Sequence, residues 1–274
     1  MRFFGYIPRD SFVHRLTGVS KLILTLALSV AAMITYDTRF LVLVIIFSCA
    51  MLAASKLRFS EVKVVLLLCV VFLLINNIAI FLFAPEQGVT IYGSRQELFH
   101  IAGRYSVITE QLFYQLNVTI KYFAIVPVAL IFFLTTEPGE FAASLNAVKL
   151  HYKAAYAVSL SLRYIPDIQQ NYREISQAQQ ARGIDISKKA SLRRRLSGIL
   201  VILFPLVFSS LDRIEQISNA MELRGFGRMK KRTWYAAREF SKWDYLVIGV
   251  SLLFIVLSAM TFFINKGRFY NPFL

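Results

Sequence analysis

The chain has 274 residues, 57% of them hydrophobic, a mean hydropathy of +0.56 and a formal charge of +15. Soluble domains are about 45–50% apolar, so this composition excludes an ordinary soluble domain and points to the membrane class. The long apolar runs also set aside nucleic-acid binding as the reason for the charge, because a basic membrane protein carries such an excess in its cytoplasmic loops.

A bilayer core about 30 Å thick needs roughly 20 apolar residues of helix. The first polar stretch carries Arg2, Arg9, Arg15 and Lys21 and reads as a cytoplasmic tail without a cleavable signal pattern. Apolar runs at 21–36 and 40–54, joined by Asp37-Thr38-Arg39, read as a helical hairpin. Lys56, Arg58 and Lys63 then place the next loop in the cytoplasm. Residues 64–83 form a stronger span, 85–111 a polar loop outside, and 112–134 a fourth span. Residues 136–244 hold most of the basic side chains and return to the cytoplasm, and 245–264 is the last span.

The run 196–211 is apolar enough to suggest another span. It is short, Pro205 interrupts it, and a crossing there would put Arg224, Arg228, Lys230, Lys231, Arg232 and Arg238 outside. It therefore reads as a buried helix against the membrane face or other cytoplasmic helices. The expected fold is all-α: a polytopic membrane protein of about five spans, with its N-terminus inside and its C-terminus outside. Its regions are 1–135 (four spans), 136–244 (cytoplasmic helices) and 245–274 (the last span and the tail).

The cytoplasmic region reads as helical throughout. Thr136 caps a helix with Pro138 in its first turn, where proline is tolerated. A long helix is expected over 152–182, because Ala155, Val158, Leu162, Ile165 and Ile168 keep the spacing of one face. Pro166 is expected to kink it. A second long helix, interrupted by Pro205, runs from about 196 to 224.

Each long helix ends in the same device. Gln177-Ala178-Gln179-Gln180-Ala181-Arg182-Gly183 closes the first and Asn219-Ala220-Met221-Glu222-Leu223-Arg224-Gly225 the second. Glycine just past a helix end takes the left-handed conformation freely, and the arginine complements the negative end of the helix dipole. One Arg-Gly ending is an ordinary cap. Two on one side of the membrane present two guanidinium groups, which suit acidic clefts on a partner with two similar subunits.

Catalytic chemistry finds no support. There is no GxxxxGK[ST] phosphate loop, and His14, His100 and His151 fall in separate segments without metal-site spacing. No Ser/His/Asp or Cys/His set assembles on one side of the membrane. Cys49 and Cys69 sit in apolar runs and read as buried packing residues. Asn76 and Asn77 read as interhelical hydrogen-bonding groups, and Lys121 as a side chain reaching the outer interface.

Several segments resemble the transmembrane T component of energy-coupling factor transporters, ATP-binding-cassette importers of vitamins and metal ions. They are Tyr6-Ile7-Pro8-Arg9-Asp10-Ser11 with His14 and Leu16, Thr135-Thr136-Glu137-Pro138, and Ser159-Leu160-Ser161-Leu162-Arg163-Tyr164-Ile165-Pro166. Ala181-Arg182-Gly183, Phe204-Pro205-Leu206 and Ala220-Met221-Glu222-Leu223-Arg224-Gly225-Phe226 complete the set. Two features depart from the family pattern: Leu223 stands where alanine is usual, and Thr17-Gly18-Val19-Ser20 replaces an Asp-Pro-Arg-type segment.

The resemblance implies a non-catalytic scaffold in the cell membrane that joins two ATPase subunits to a substrate-binding S component. Ala181, Arg182 and Gly183 would meet one ATPase, and Leu223, Arg224 and Gly225 the other. Pro166 and Pro205 would shape the coupling helices. The resemblance also implies that ATP and Mg bind the partner subunits and that this chain holds no cofactor. The alternative is a self-sufficient permease or channel using Asn76, Asn77 and Lys121.

Overall fold

The computed structural model describes residues 6–102, 105–184, 191–229 and 233–273. Arg2, Gly103, Arg104, Lys230, Lys231, Arg232 and the middle of the 184–195 linker lie outside these. The chain divides into two compact units. One comprises the residues up to Phe141 together with those from Arg238 onward, and the other is Ala142–Ala237.

The first unit contains α1 (Phe12–Arg15), α2 (Gly18–Ile34), α3 (Thr38–Ala54), α4 (Phe59–Phe83), α5 (Gln87–Tyr92), α6 (Thr109–Thr135) and, as its last helix, Lys242–Ile264. The 85–111 segment is more ordered than a polar loop: it holds α5 and an antiparallel hairpin of β1 (Glu97–Ala102) and β2 (Tyr105–Ile108). The start of α7 (Pro138–Ala147) also belongs to this unit, and α8 (Tyr152–Ala181) and α9 (Leu192–Leu223) belong to the second. The Lys242–Ile264 helix is α10. The fold is an all-α polytopic membrane protein, with a single short hairpin among the described residues.

Contacts at the helix ends fix the directions of α2, α6 and α10. Thr17, which caps α2, donates its backbone N–H and its hydroxyl to Asp244 Oδ1 at 2.8 and 2.9 Å, joining the starts of α2 and α10. Their far ends also meet, where Tyr36 N–H donates to Arg268 O at 2.7 Å and the Tyr36 and Phe269 rings stack. Lys21 Nζ donates to Thr135 O at 2.8 Å, so α6 ends where α2 begins. Arg9 bonds both Lys56 O and Glu61, which brings the α3–α4 turn to that same end. Thus α2, α4 and α10 run one way and α3 and α6 the other. The Arg9, Arg15, Lys56 and Arg58 end is the basic end, as the sequence grouping expects.

The core of this unit is Leu24, Leu28, Ala31 and Ala32 of α2 against Phe40, Leu41 and Val44 of α3, Ala124 and Val128 of α6, and Val247 and Phe254 of α10. In lipid, small residues and interhelical hydrogen bonds replace the hydrophobic effect as the means of association. Ser258 Oγ donates to Ala31 O at 3.0 Å, and Ser48 Oγ reaches Ala124 O at 3.3 Å.

By length and composition, α4, α6, α10 and residues Leu196–Leu223 of α9 qualify as candidate spans. Helices α2 and α3, at 17 residues, reach only about 26 Å each. The expectation that 196–211 is buried is corrected. Gly198, Ile202 and Leu206 form one buried stripe, while Leu196, Leu200, Phe204 and Phe208 are exposed. An apolar run fixes burial from water, not the choice between protein and lipid as the covering phase.

Cys49 and Cys69 are corrected likewise. Both thiols are free, with Cys49 exposed and Cys69 half-buried, on faces that a membrane protein turns to lipid or a partner.

Candidate functional site

The second unit is built on an antiparallel pair, α8 and α9. Asp167 of α8 pairs with Arg213 of α9 at 3.2 Å, and the Arg213 guanidinium lies 5.8 Å from the Tyr164 ring centroid. Toward the start of α8, Phe226, just beyond α9, packs on Tyr156 and Tyr152 with ring centroids 4.8 and 5.7 Å apart. Trp234 Nε1 donates to Asn146 Oδ1 at 3.0 Å and returns the chain to the same end.

The two Arg-Gly tips share one backbone form. Arg182 and Arg224 are the C-cap residues, at φ −84°, ψ 8° and φ −81°, ψ 9°. The helices end at Ala181 and Leu223, one residue earlier than the sequence suggested, which placed each arginine in the last helical position. Gly183 and Gly225 follow at φ 88° and 66°, the left-handed region expected of them. Ile184 N–H donates to Gln179 O at 3.1 Å and Phe226 N–H to Met221 O at 2.9 Å, which makes both ends Schellman motifs. Among the described residues, α7 and α10 close with the same outer bond, but around Lys149 and Lys266. The ending alone is therefore structural. What distinguishes the two tips is an exposed arginine beside a glycine, with Leu223, 90% exposed, next to Arg224.

The tips lie far apart. At 1.5 Å per residue, Arg182 stands about 22 Å beyond Asp167 along α8, and Arg224 about 16 Å beyond Arg213 along α9. Because the helices are antiparallel, these arms point in opposite senses from the Asp167–Arg213 tie. The guanidinium groups are roughly 40 Å apart along the pair, a domain-sized separation. Two separate partner surfaces fit that span, and a single cleft does not.

Between the helices lies a groove of about 490 Å³, lined chiefly by Leu160, Tyr164, Ile165, Ile168, Ile214 and Met221. The expected α8 stripe is only part covered. Ala155 is buried, Val158 and Leu162 are half-buried, and Ile165 and Ile168 are exposed along the groove. Pro166 and Pro205 both lie inside continuous helices, each removing one backbone donor. The Asp167–Arg213 tie was missed in the sequence. Its signal was a lone acid and a lone base, each interrupting an apolar face.

The residues of the permease alternative do not converge. Asn77 Nδ2 donates to Thr119 Oγ1 at 3.1 Å, the interhelical bond expected of it. Asn76 makes no such bond: its side-chain oxygen is buried without a partner among the described residues. Lys121 is corrected. Rather than reaching the interface, it is buried, donates to Met33 O at 3.0 Å and lies 3.6 Å from the Tyr36 ring centroid. Thr119 and Lys121 are about 200° apart around α6, so they serve opposite faces. Among the described residues no cluster of His, Cys, Asp and Glu has the form of a metal site.

A family model described as cobalt transport protein (CbiQ) matches residues 9–235, a stretch that contains both tips. The chain is 28% identical over 272 residues to the energy-coupling factor transporter transmembrane protein EcfT of Exiguobacterium sibiricum, covering 96% of this chain and 98% of that one. It is 30% identical over 258 residues to the protein of the same name from Bacillus selenitireducens, covering 91% and 92%. With that of Bacillus subtilis the identity is 26% over 268 residues, covering 95% and 96%.

Proposed function

Because this chain belongs to the cobalt transport protein family, as a transmembrane T component of the energy-coupling factor type, we propose that it couples two ATPase subunits to a substrate-binding membrane S component. The observation that carries this reading is the pair of identical Arg-Gly helix ends, pointing apart by roughly 40 Å. Arg182 docks on one ATPase and Arg224 on the other. The apolar groove between α8 and α9, with the exposed face of α9, receives the S component. ATP and Mg act on the ATPases, and substrate choice resides in the S component.

Isolation of the wild-type chain from membranes, with the ATPases and an S component co-expressed, tests this reading. The expected result is a complex holding two ATPase subunits per chain. Transport by the chain alone in vesicles, without any ATPase, would favour the permease instead.

The same reading sets the orientation: the basic end of the first unit faces the cytoplasm, and α9 does not cross the bilayer. With Cys49 and Cys69 replaced by alanine, Arg228→Cys is expected to resist an impermeant thiol reagent on intact cells, and Asn271→Cys to react. Labelling at position 228 from outside would make α9 a span.

A further inference from the structure

The chain leaves the first unit just after Glu140 and re-enters it at Arg238. These two residues meet, with Arg238 Nε 2.8 Å from Glu140 Oε1. The other carboxylate oxygen lies 3.7 Å from Lys21 Nζ. Glu140 is 4% exposed and Lys21 2%, whereas the Arg238 side chain is 43% exposed. Each partner is also held at the basic end of the first unit. Arg238 Nη1 donates to His14 O at 3.2 Å, and Lys21 donates to Thr135 O. A Cβ added at Gly18 would come within 3.0 Å of Glu140 O, so the first turn of α7 packs directly on the start of α2. Burial raises the Glu140 carboxyl above the usual carboxylate range, and Lys21 and Arg238 offset only part of that rise.

We propose that Glu140 and Arg238 are positioning residues that fasten both ends of the coupling segment Ala142–Ala237 to one point of the membrane unit. The inference rests on the coupling role proposed above. Force applied at Arg182 and Arg224 reaches the membrane helices through two chain crossings. If those crossings move independently, the segment yields and the stroke is lost. The half-exposed Arg238 reaches the buried Glu140 carboxylate and ties them, because drawing Arg238 away leaves that carboxylate out of water with Lys21, at 3.7 Å, as its remaining counter-charge.

Arg238→Gln is the informative variant, since it leaves Glu140 paired with Lys21. In the reconstituted complex, bound ATPase and ATP hydrolysis are expected to persist while substrate uptake per ATP falls at least threefold. Arg238→Lys should recover most of the ratio and Arg238→Glu should lose more. Glu140→Gln should lower it as Arg238→Gln does, and the double variant should be no worse than either alone. An unchanged ratio in Arg238→Gln, or a series that follows side-chain size instead of charge, overturns the proposal. Should Arg238→Gln fail to accumulate, Arg238→Met beside Arg238→Lys carries the test: a clearly lower ratio for methionine than for lysine supports the clasp, and equal ratios overturn it. Wild-type chain that recovers no ATPase would instead sink the coupling reading itself.

Discussion

Replacing Arg182 and Arg224 together by alanine is expected to abolish recovery of ATPase subunits with the chain while leaving it in the membrane. Removing one partner of a buried, hydrogen-bonded charge pair costs about 2–5 kcal/mol. At about 3 kcal/mol per site, each single variant weakens docking roughly 150-fold. Tips roughly 40 Å apart share no partner, so the double variant weakens the docking of each ATPase about 150-fold and the assembly of both together by about four orders of magnitude. Each single variant keeps one docked arm and should retain one ATPase. Arg182→Lys should rescue poorly, because a lysine lacks the planar fork that binds a carboxylate through two bonds. Both arginines are exposed C-cap residues, and the glycine that sets each helix end remains. The fold should therefore be unaffected, and thermal stability of the isolated chain checks that. Normal yield of ATPase with the double variant would remove the tips from the mechanism.

Some features were legible because their causes are local. A left-handed backbone after a helix asks for glycine, and Gly183 and Gly225 answer from sequence alone. The start of α8 at Tyr152 and its end within one residue of Arg182 follow from periodicity plus that stop signal. Features that depend on distant chain segments were not legible. The partners of Glu140 are Lys21 and Arg238, which nothing in their spacing links. Lys121 and the two cysteines were misplaced for a related reason. Hydropathy reports the environment of a helix as a whole, while the neighbour of each side chain depends on how the helix is rotated against the others. The β1–β2 hairpin escaped because its two strands are short and belong to a Gly-containing stretch of sequence that reads equally well as loop.

Pro166→Ala is expected to cost transport more than it costs ATP hydrolysis. Within α8 the proline denies Leu162 O its helical donor, and a proline bend commonly exceeds about 20°. The neighbouring residue, Asp167, ties α8 to Arg213, so the bend expected of Pro166 would fall at the point where the two helices are joined. From there the arm to Arg182 is about 24 Å long, and straightening by about 20° moves its tip by about 8 Å. Alanine favours an ordinary helix interior by about 3 kcal/mol over proline, so the variant chain should be at least as stable as the original. Docking should persist, because Arg182 and its glycine cap are untouched. The direction in which the stroke arrives would change. Substrate uptake per ATP in reconstituted vesicles is the measurement, and a clear fall with hydrolysis retained is the expected outcome. Pro205→Ala supplies the control. Pro205 lies before Arg213 on α9, and Arg224 lies after it, so straightening there leaves the Arg224 arm where the tie holds it. Its ratio should fall less. Equal ratios in wild type and Pro166→Ala would show that the bend is tolerated packing, and a larger loss in Pro205→Ala would place the working bend on the other helix.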